Sequence, residues 1–230
     1  MMINFCYYFL FFLLYSFIGW LIEVIYTFAV KRKFVNRGFL IGPYCPIYGS
    51  GLILILVLLK DVNVDFVAKF FMIAFIASIL EYITSYVMEK LFNARWWDYS
   101  NDKFNINGRV CLETFLEFGL IGSLGLYYVH PFISNIIYSF SDNVVYILFF
   151  IFFIIFIVDN IISYNLLNKI KIKIRKETTD NTEEINEKMG IWFKKNNYLY
   201  KRIIKAFPKA KKSRKFIKRI KLKLKELSII

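Results

Sequence analysis

The sequence has 230 residues, of which 58% are hydrophobic and 20% aromatic, with 31 Lys and Arg against 17 Asp and Glu for a net charge of +14. Its mean hydropathy is +0.49, and apolar runs long enough to cross a bilayer recur where a soluble domain would break them with charge. A soluble globular fold is thereby excluded: the chain reads as all-α, a polytopic transmembrane helix bundle with a basic cytoplasmic tail. Cys6, Cys45 and Cys111 form an odd set without C-x-x-C spacing, so neither a disulfide framework nor a zinc site is indicated, and no other metal or cofactor is called for.

In chain order the expected spans are 3–30, 40–59, 66–89, 110–130 and 144–167, each near or above the ~20 residues that cross ~30 Å of hydrocarbon. Residues 1–167 then form the bundle and 168–230 the tail. The first span is too long for a signal peptide and lacks its basic n-region and cleavage site, so it is read as retained. In the second, the apolar run Leu52 to Leu59 follows Gly42, Pro43, Pro46, Gly49 and Gly51, residues that break or loosen a helix. A broken or re-entrant second helix is expected there. His130-Pro131 is expected to end the fourth span.

Lys and Arg set the expected orientation. Lys31, Arg32, Lys33 and Arg37 follow the first span, and Lys90, Arg95, Lys103 and Arg109 follow the third, whereas the intervening loops have few or none. The positive-inside rule places the N-terminus outside and the C-terminus in the cytoplasm of a bacterial inner membrane. On that orientation Glu23, Glu81, Glu113, Glu117 and Asp159 all fall in the cytoplasmic half, none deeper than about 15 Å at 1.5 Å per residue. They lie on stripes of small and polar residues at helical spacing, among them Ser16, Gly19 and Glu23, then Ser78, Glu81, Ser85 and Glu89. Such stripes face a bundle, and intramembrane carboxylates need a partner or water. The expectation is a polar cavity open to the cytoplasm and lidded by the two basic loops, with Arg37, Arg95 and Arg109 as counter-charges. Salt bridges that only tie helices and loops together are the alternative.

The loop chemistry leaves two readings open. Trp96, Trp97 and Tyr99 suit an interfacial belt, while Arg95 has Asp98, Glu81 or a phosphate as candidate partners. Asn105, Asn107, Gly108 and Arg109 read as a turn before the fourth span. Its free N–H groups beside Arg109 would favour an anion such as a lipid headgroup, or else Arg109 simply snorkels to the surface. No catalytic residue is assigned: His130 lies at the opposite end from Ser50, too far for a nucleophile and base, and neither H-E-x-x-H nor G-x-G-D occurs.

The tail holds 21 of the 31 Lys and Arg and six of the acids. Phe216, Ile217, Ile220, Leu224 and Leu227 fall near helical spacing among lysines, the pattern of a basic amphipathic helix on anionic phospholipid. A membrane-tethered tail meets lipid before nucleic acid, so nucleic-acid binding is disfavoured.

The runs Tyr15-Ser-Phe-Ile-Gly-Trp-Leu-Ile-Glu23, Asn36-Arg-Gly-Phe-Leu-Ile-Gly-Pro-Tyr-Cys-Pro-Ile-Tyr-Gly49, Leu80-Glu-Tyr-Ile-Thr-Ser-Tyr86, Arg95-Trp-Trp-Asp-Tyr-Ser100 and Phe104-Asn-Ile-Asn-Gly-Arg109 resemble the CmpB-type ABC-transporter permease family of bacterial membrane proteins. The resemblance covers roughly residues 5 to 165 and implies a transport subunit. No G-x-x-x-x-G-K-[ST] P-loop is present, so such a subunit would need a separate ATPase and a second copy of itself. A membrane-embedded protein that binds or acts on an anionic lipid headgroup, with Arg95 or Arg109 on the phosphate, is the other expectation, and a structural scaffold the third.

Overall fold

Every apolar run is helical in the computed structural model, which describes residues 2–32, 34, 36–92 and 96–177, with side chains up to Asn165 except at Lys31. Arg95 and most of the basic tail, including Phe216, Ile217, Ile220, Leu224 and Leu227, lie outside the described residues. The helices are α1 (Met2–Lys31), α2 (Pro46–Leu59), α3 (Phe66–Phe92), α4 (Leu112–Leu124), a π-helical segment (Gly125–Val129), α5 (His130–Tyr138) and α6 (Asp142–Glu177). Four apolar stretches, Met2–Val30, Phe66–Phe92, Leu112–Tyr138 and Asp142–Asn165, are long enough to cross a bilayer. Among the described residues there is no strand, only one isolated bridge between Ile106 and Val110. The protein is a polytopic helical membrane bundle.

The second span differs from its expected length. The helix begins only at Pro46, whose missing N–H suits the first turn, and the residues before it, 36–45, are not helical. The fourth span is a correction in the other direction: His130-Pro131 does not end it, and the helix runs on to Tyr138. The physical reason is the π-helical segment, where the His130 N–H reaches back five residues to the Gly125 carbonyl. The widened turn gives room to a proline ring that would otherwise press on the preceding turn. His130 is held across the bundle by the Tyr15 hydroxyl at 2.6 Å and by the edge of Phe11.

Close packing fixes the helix pairs. α1 and α2 approach so tightly at Gly49 that a methyl group there would overlap the Ser16 hydroxyl and the Phe12 carbonyl. The Cys45 N–H, at the start of α2, donates to the Ser16 carbonyl at 2.9 Å. α3 runs antiparallel to α4, with Phe66 against Tyr127 and Phe75 against Phe115. α6 lies on α1 through rings, Phe9 meeting Phe149 and Phe153 edge-on. One end of the bundle therefore has an apolar core of Cys6, Leu10, Phe11, Tyr15, Leu56, Ile137, Val145 and Phe149, here called the His130 end. The other, the Arg109 end, holds the buried charged groups Glu81, Arg109 and Asp159.

Candidate functional site

Two non-helical segments enter the bundle at the Arg109 end, and carboxylates meet both. The first, residues 36–45, passes through Gly38 at φ +87°, a left-handed conformation that glycine tolerates. Asp159 of α6 receives it: one carboxylate oxygen accepts the Ile41 N–H at 2.9 Å, the other the Gly42 N–H at 2.7 Å and the Tyr44 hydroxyl. Ser163, one turn further along α6, donates to the same carboxylate at 2.9 Å and accepts from Ile41 at 3.2 Å. Backbone amides outside any helix thus find a buried acceptor, as buried polar backbone requires. Gly42 is needed beside Tyr44, whose ring would overlap any Cβ there.

Glu23 of α1 closes over the same segment. Its carboxylate pairs with Arg37 Nε at 3.1 Å and accepts the Tyr48 hydroxyl at 2.8 Å. Three residues before Glu23, the Trp20 indole N–H donates to Asn36 Oδ1 at 2.7 Å, tying the same stretch to α1.

The second segment, residues 96–111, is built on a tight turn. Asn107 (φ 53°) and Gly108 (φ 66°) are both left-handed, and the Arg109 N–H returns to the Ile106 carbonyl at 3.0 Å. That is the turn for which Asn-Gly is suited, and the Ile106–Val110 bridge flanks it. The Tyr99 N–H donates to the Gly108 carbonyl at 2.9 Å and the Trp97 indole to the Arg109 carbonyl at 3.0 Å. Asn107 Nδ2 donates to the Tyr82 hydroxyl, which docks the turn on α3.

Arg109 pairs with a carboxylate of the α3 stripe and does not snorkel outward: it is buried, paired with Glu89 at 2.9 Å, bonded to Ser85 at 3.2 Å and placed against the faces of Tyr82 and Tyr86. The α4 N-terminus is closed by its own residues, Cys111 and Thr114 exchanging the bonds of a capping box.

Glu81 of α3 sits deeper, 4% exposed. One oxygen accepts the Tyr99 hydroxyl at 3.1 Å; the other, Oε2, has no hydrogen-bond partner. Burial, and then the neighbouring Glu81 carboxylate, raise the Tyr99 phenol pKa, with Glu23 adding to the effect. Tyr99 therefore stays a donor at ordinary pH, and the Glu23 and Glu81 networks meet around it.

The expected inward stripe on the fourth span is a second correction. Glu113 and Glu117 are exposed, because the buried side of α4 is made by Thr114, Gly119 and Ser123 and the two glutamates fall outside it. Of the five intramembrane carboxylates, Glu23, Glu81 and Asp159 thus turn inward, each to a different partner set. A groove of about 370 Å³ does open between α3 and α6 at this end, but Phe39, Met88, Leu91, Phe92, Asn160, Ile161 and Tyr164 line it and no carboxylate does.

Two working partners, Tyr44 and Tyr48, were not among the residues singled out from sequence, and Tyr99 was read only as part of an interfacial belt. Glu89 and Ser163 were legible on polar stripes, one turn from Ser85 and Asp159. The tyrosines carried no such signal, since a tyrosine in an apolar run reads as packing.

A family model described as Putative ABC-transporter type IV matches residues 10–164. No curated protein and no solved structure matches the chain. The matched span begins within α1 and ends in α6 beside Ser163, so it takes in both inserted segments and all five carboxylates.

Proposed function

Because the chain belongs to the family described as Putative ABC-transporter type IV, we propose that it is the membrane-embedded subunit of such a transporter, working with a separate ATPase. The observation that carries this reading is the non-helical segment 36–45 ahead of the short α2, whose Ile41 and Gly42 amides are held by Asp159 and which resembles the irregular backbone where transporters bind their cargo. On this reading Glu23, Glu81 and their tyrosines form the region that meets substrate, and Arg37 and Arg109 keep the surrounding charge balanced. Asp159, with Gly42, Pro43, Pro46 and Gly49, holds the break itself. The Arg109 end faces the cytoplasm, which puts the tail on the inner surface against anionic phospholipid and leaves the acidic, exposed face of α4 for a second copy or the ATPase subunit.

The test is purification of the full chain from its host in mild detergent, followed by native mass spectrometry. A stoichiometric nucleotide-hydrolysing subunit is the expected result. One tightly held anionic lipid with no ATPase would overturn it in favour of the lipid-handling reading, for which the apolar groove beside Phe92 and Tyr164 is the favouring observation.

A further inference from the structure

Among the carboxylates that turn into the bundle, the partners are unequally shared. Glu23 has a guanidinium and a hydroxyl, Glu89 has Arg109, and Asp159 has two backbone amides and two hydroxyls. Glu81, the most buried of them, has one hydroxyl. Its Oε2 is without a partner, and so is the buried Ser78 Oγ one turn away on the same face of α3. The Thr114 hydroxyl, in the first turn of α4, also acts on this carboxylate, while it donates to the Cys111 carbonyl at 3.1 Å.

Among the described residues, the charged groups that act on Glu81 are negative. Glu23 on α1 and Glu117 on α4 both act on it, and the two nearest described guanidiniums are committed, Arg37 to Glu23 and Arg109 to Glu89. A buried carboxylate oxygen with neither donor nor cation is costly, more so beside other carboxylates. The groups named so far are oxygens, the Ser78 and Thr114 hydroxyls and the Tyr99 phenol, whose proton is already given to Oε1, with the buried Cys111 Sγ 3.7 Å beyond the Thr114 hydroxyl. Carboxylate and hydroxyl oxygens suit a hard cation, and a single carboxylate suits one positive charge.

We infer that Glu81 Oε2, with the hydroxyls of Ser78 and Thr114, forms a buried site for a small monovalent cation, either an alkali ion or ammonium. The inference deepens the transport reading by naming the charge class that the Glu23–Glu81 region takes, and it rests on that reading only for its purpose, not for the site. Tyr99 couples the site to segment 96–111, since the group that bonds Glu81 also bonds the Gly108 carbonyl through its N–H.

The experiment uses the full chain in nanodiscs, without any partner subunit, unfolded thermally in NaCl, KCl, NH4Cl or N-methylglucamine chloride at equal ionic strength. A bound cation raises the melting temperature by roughly 5–10 °C at about a hundred times its dissociation constant. The expected result is a rise in at least one inorganic salt over N-methylglucamine, absent in Glu81→Gln and weakened in Ser78→Ala. The salt that produces it separates an alkali ion from ammonium. Equal curves in all salts, or a rise that survives in Glu81→Gln, would overturn the site and leave Oε2 to water. Because no ATPase is present in this assay, its failure leaves the subunit reading standing. A cation-dependent rise in a chain that never copurifies with an ATPase would instead sink the subunit reading and keep the site.

Discussion

Segments 36–45 and 96–111 solve the same problem in two ways, and the difference separates structure from function. Both bring irregular backbone into the Arg109 end, and both meet a buried carboxylate. On the first, Asp159 is saturated: two amides and two hydroxyls converge on it. On the second, the backbone satisfies itself through an Asn-Gly turn, and Glu81 touches the segment through Tyr99 alone. A saturated carboxylate has no capacity left for a ligand and acts as a pin. An unsaturated one contributes little to the fold and keeps its chemistry available.

The largest effect that sharpens this contrast is therefore expected at the pin. Asp159→Ala strands the Ile41 and Gly42 amides and the Tyr44 and Ser163 hydroxyls, at about 1–3 kcal/mol for each buried group left unpaired. Asp159→Asn keeps one acceptor and should lose less. Thermal unfolding of the two variants in nanodiscs checks this; an Asp159→Ala protein as stable as wild type would mean that segment 36–45 is held by something else. Arg109→Ala comes next. It strips Glu89 and Ser85 of their partner and removes the cation from between two tyrosine rings, a loss of about 2–4 kcal/mol. Lysine should not restore it, because one ammonium cannot replace a planar fork that serves two acceptors.

Helix backbone changes follow. Gly49→Ala forces α2 away from the Ser16 hydroxyl and the Phe12 carbonyl, and overpacking of that kind costs about 1–3 kcal/mol. Since the same approach sets the Cys45–Ser16 bond at the entry to α2, its effect should appear in segment 36–45 as faster hydrogen exchange at Ile41 and Gly42, and not in segment 96–111. Equal exchange in both segments would erase the distinction between them.

Much of this was legible in the sequence, for reasons that particular residues make plain. Apolar run lengths located the helices, and Gly42, Pro43 and Pro46 marked the break because glycine and proline act locally. Asn107-Gly108 marked its turn likewise. The carboxylates were visible as costly residues, yet their directions were not: Glu113 and Glu117 share a helical spacing with each other as good as that of Glu81 and Ser85, and the inward packing of Thr114, Gly119 and Ser123 leaves them outside. The counter-charge role of Arg109 was legible but its burial was not, since a terminal position reads as exposed until Tyr82, Ser85, Tyr86 and Glu89 are known to line up one side of α3. The passage of the helix through Pro131 depends on a π-turn that no residue pattern announces.

The smallest expected effect on stability is at Glu81, and it is the one that most directly opposes the Asp159 result. Glutamine keeps an oxygen for the Tyr99 hydroxyl and puts an amide where Oε2 now lies unpartnered, so one neutral bond survives and a buried charge is removed. Glutamine has no ionised form to desolvate, which offsets what the weaker acceptor loses. Glu81→Gln should thus change unfolding free energy by less than about 1 kcal/mol in cation-free buffer, while Asp159→Asn, the same chemical change one segment away, costs clearly more. A Glu81→Gln variant that unfolds as readily as Asp159→Ala would make Glu81 a second pin, and the asymmetry between the two segments would then lie in their turns alone.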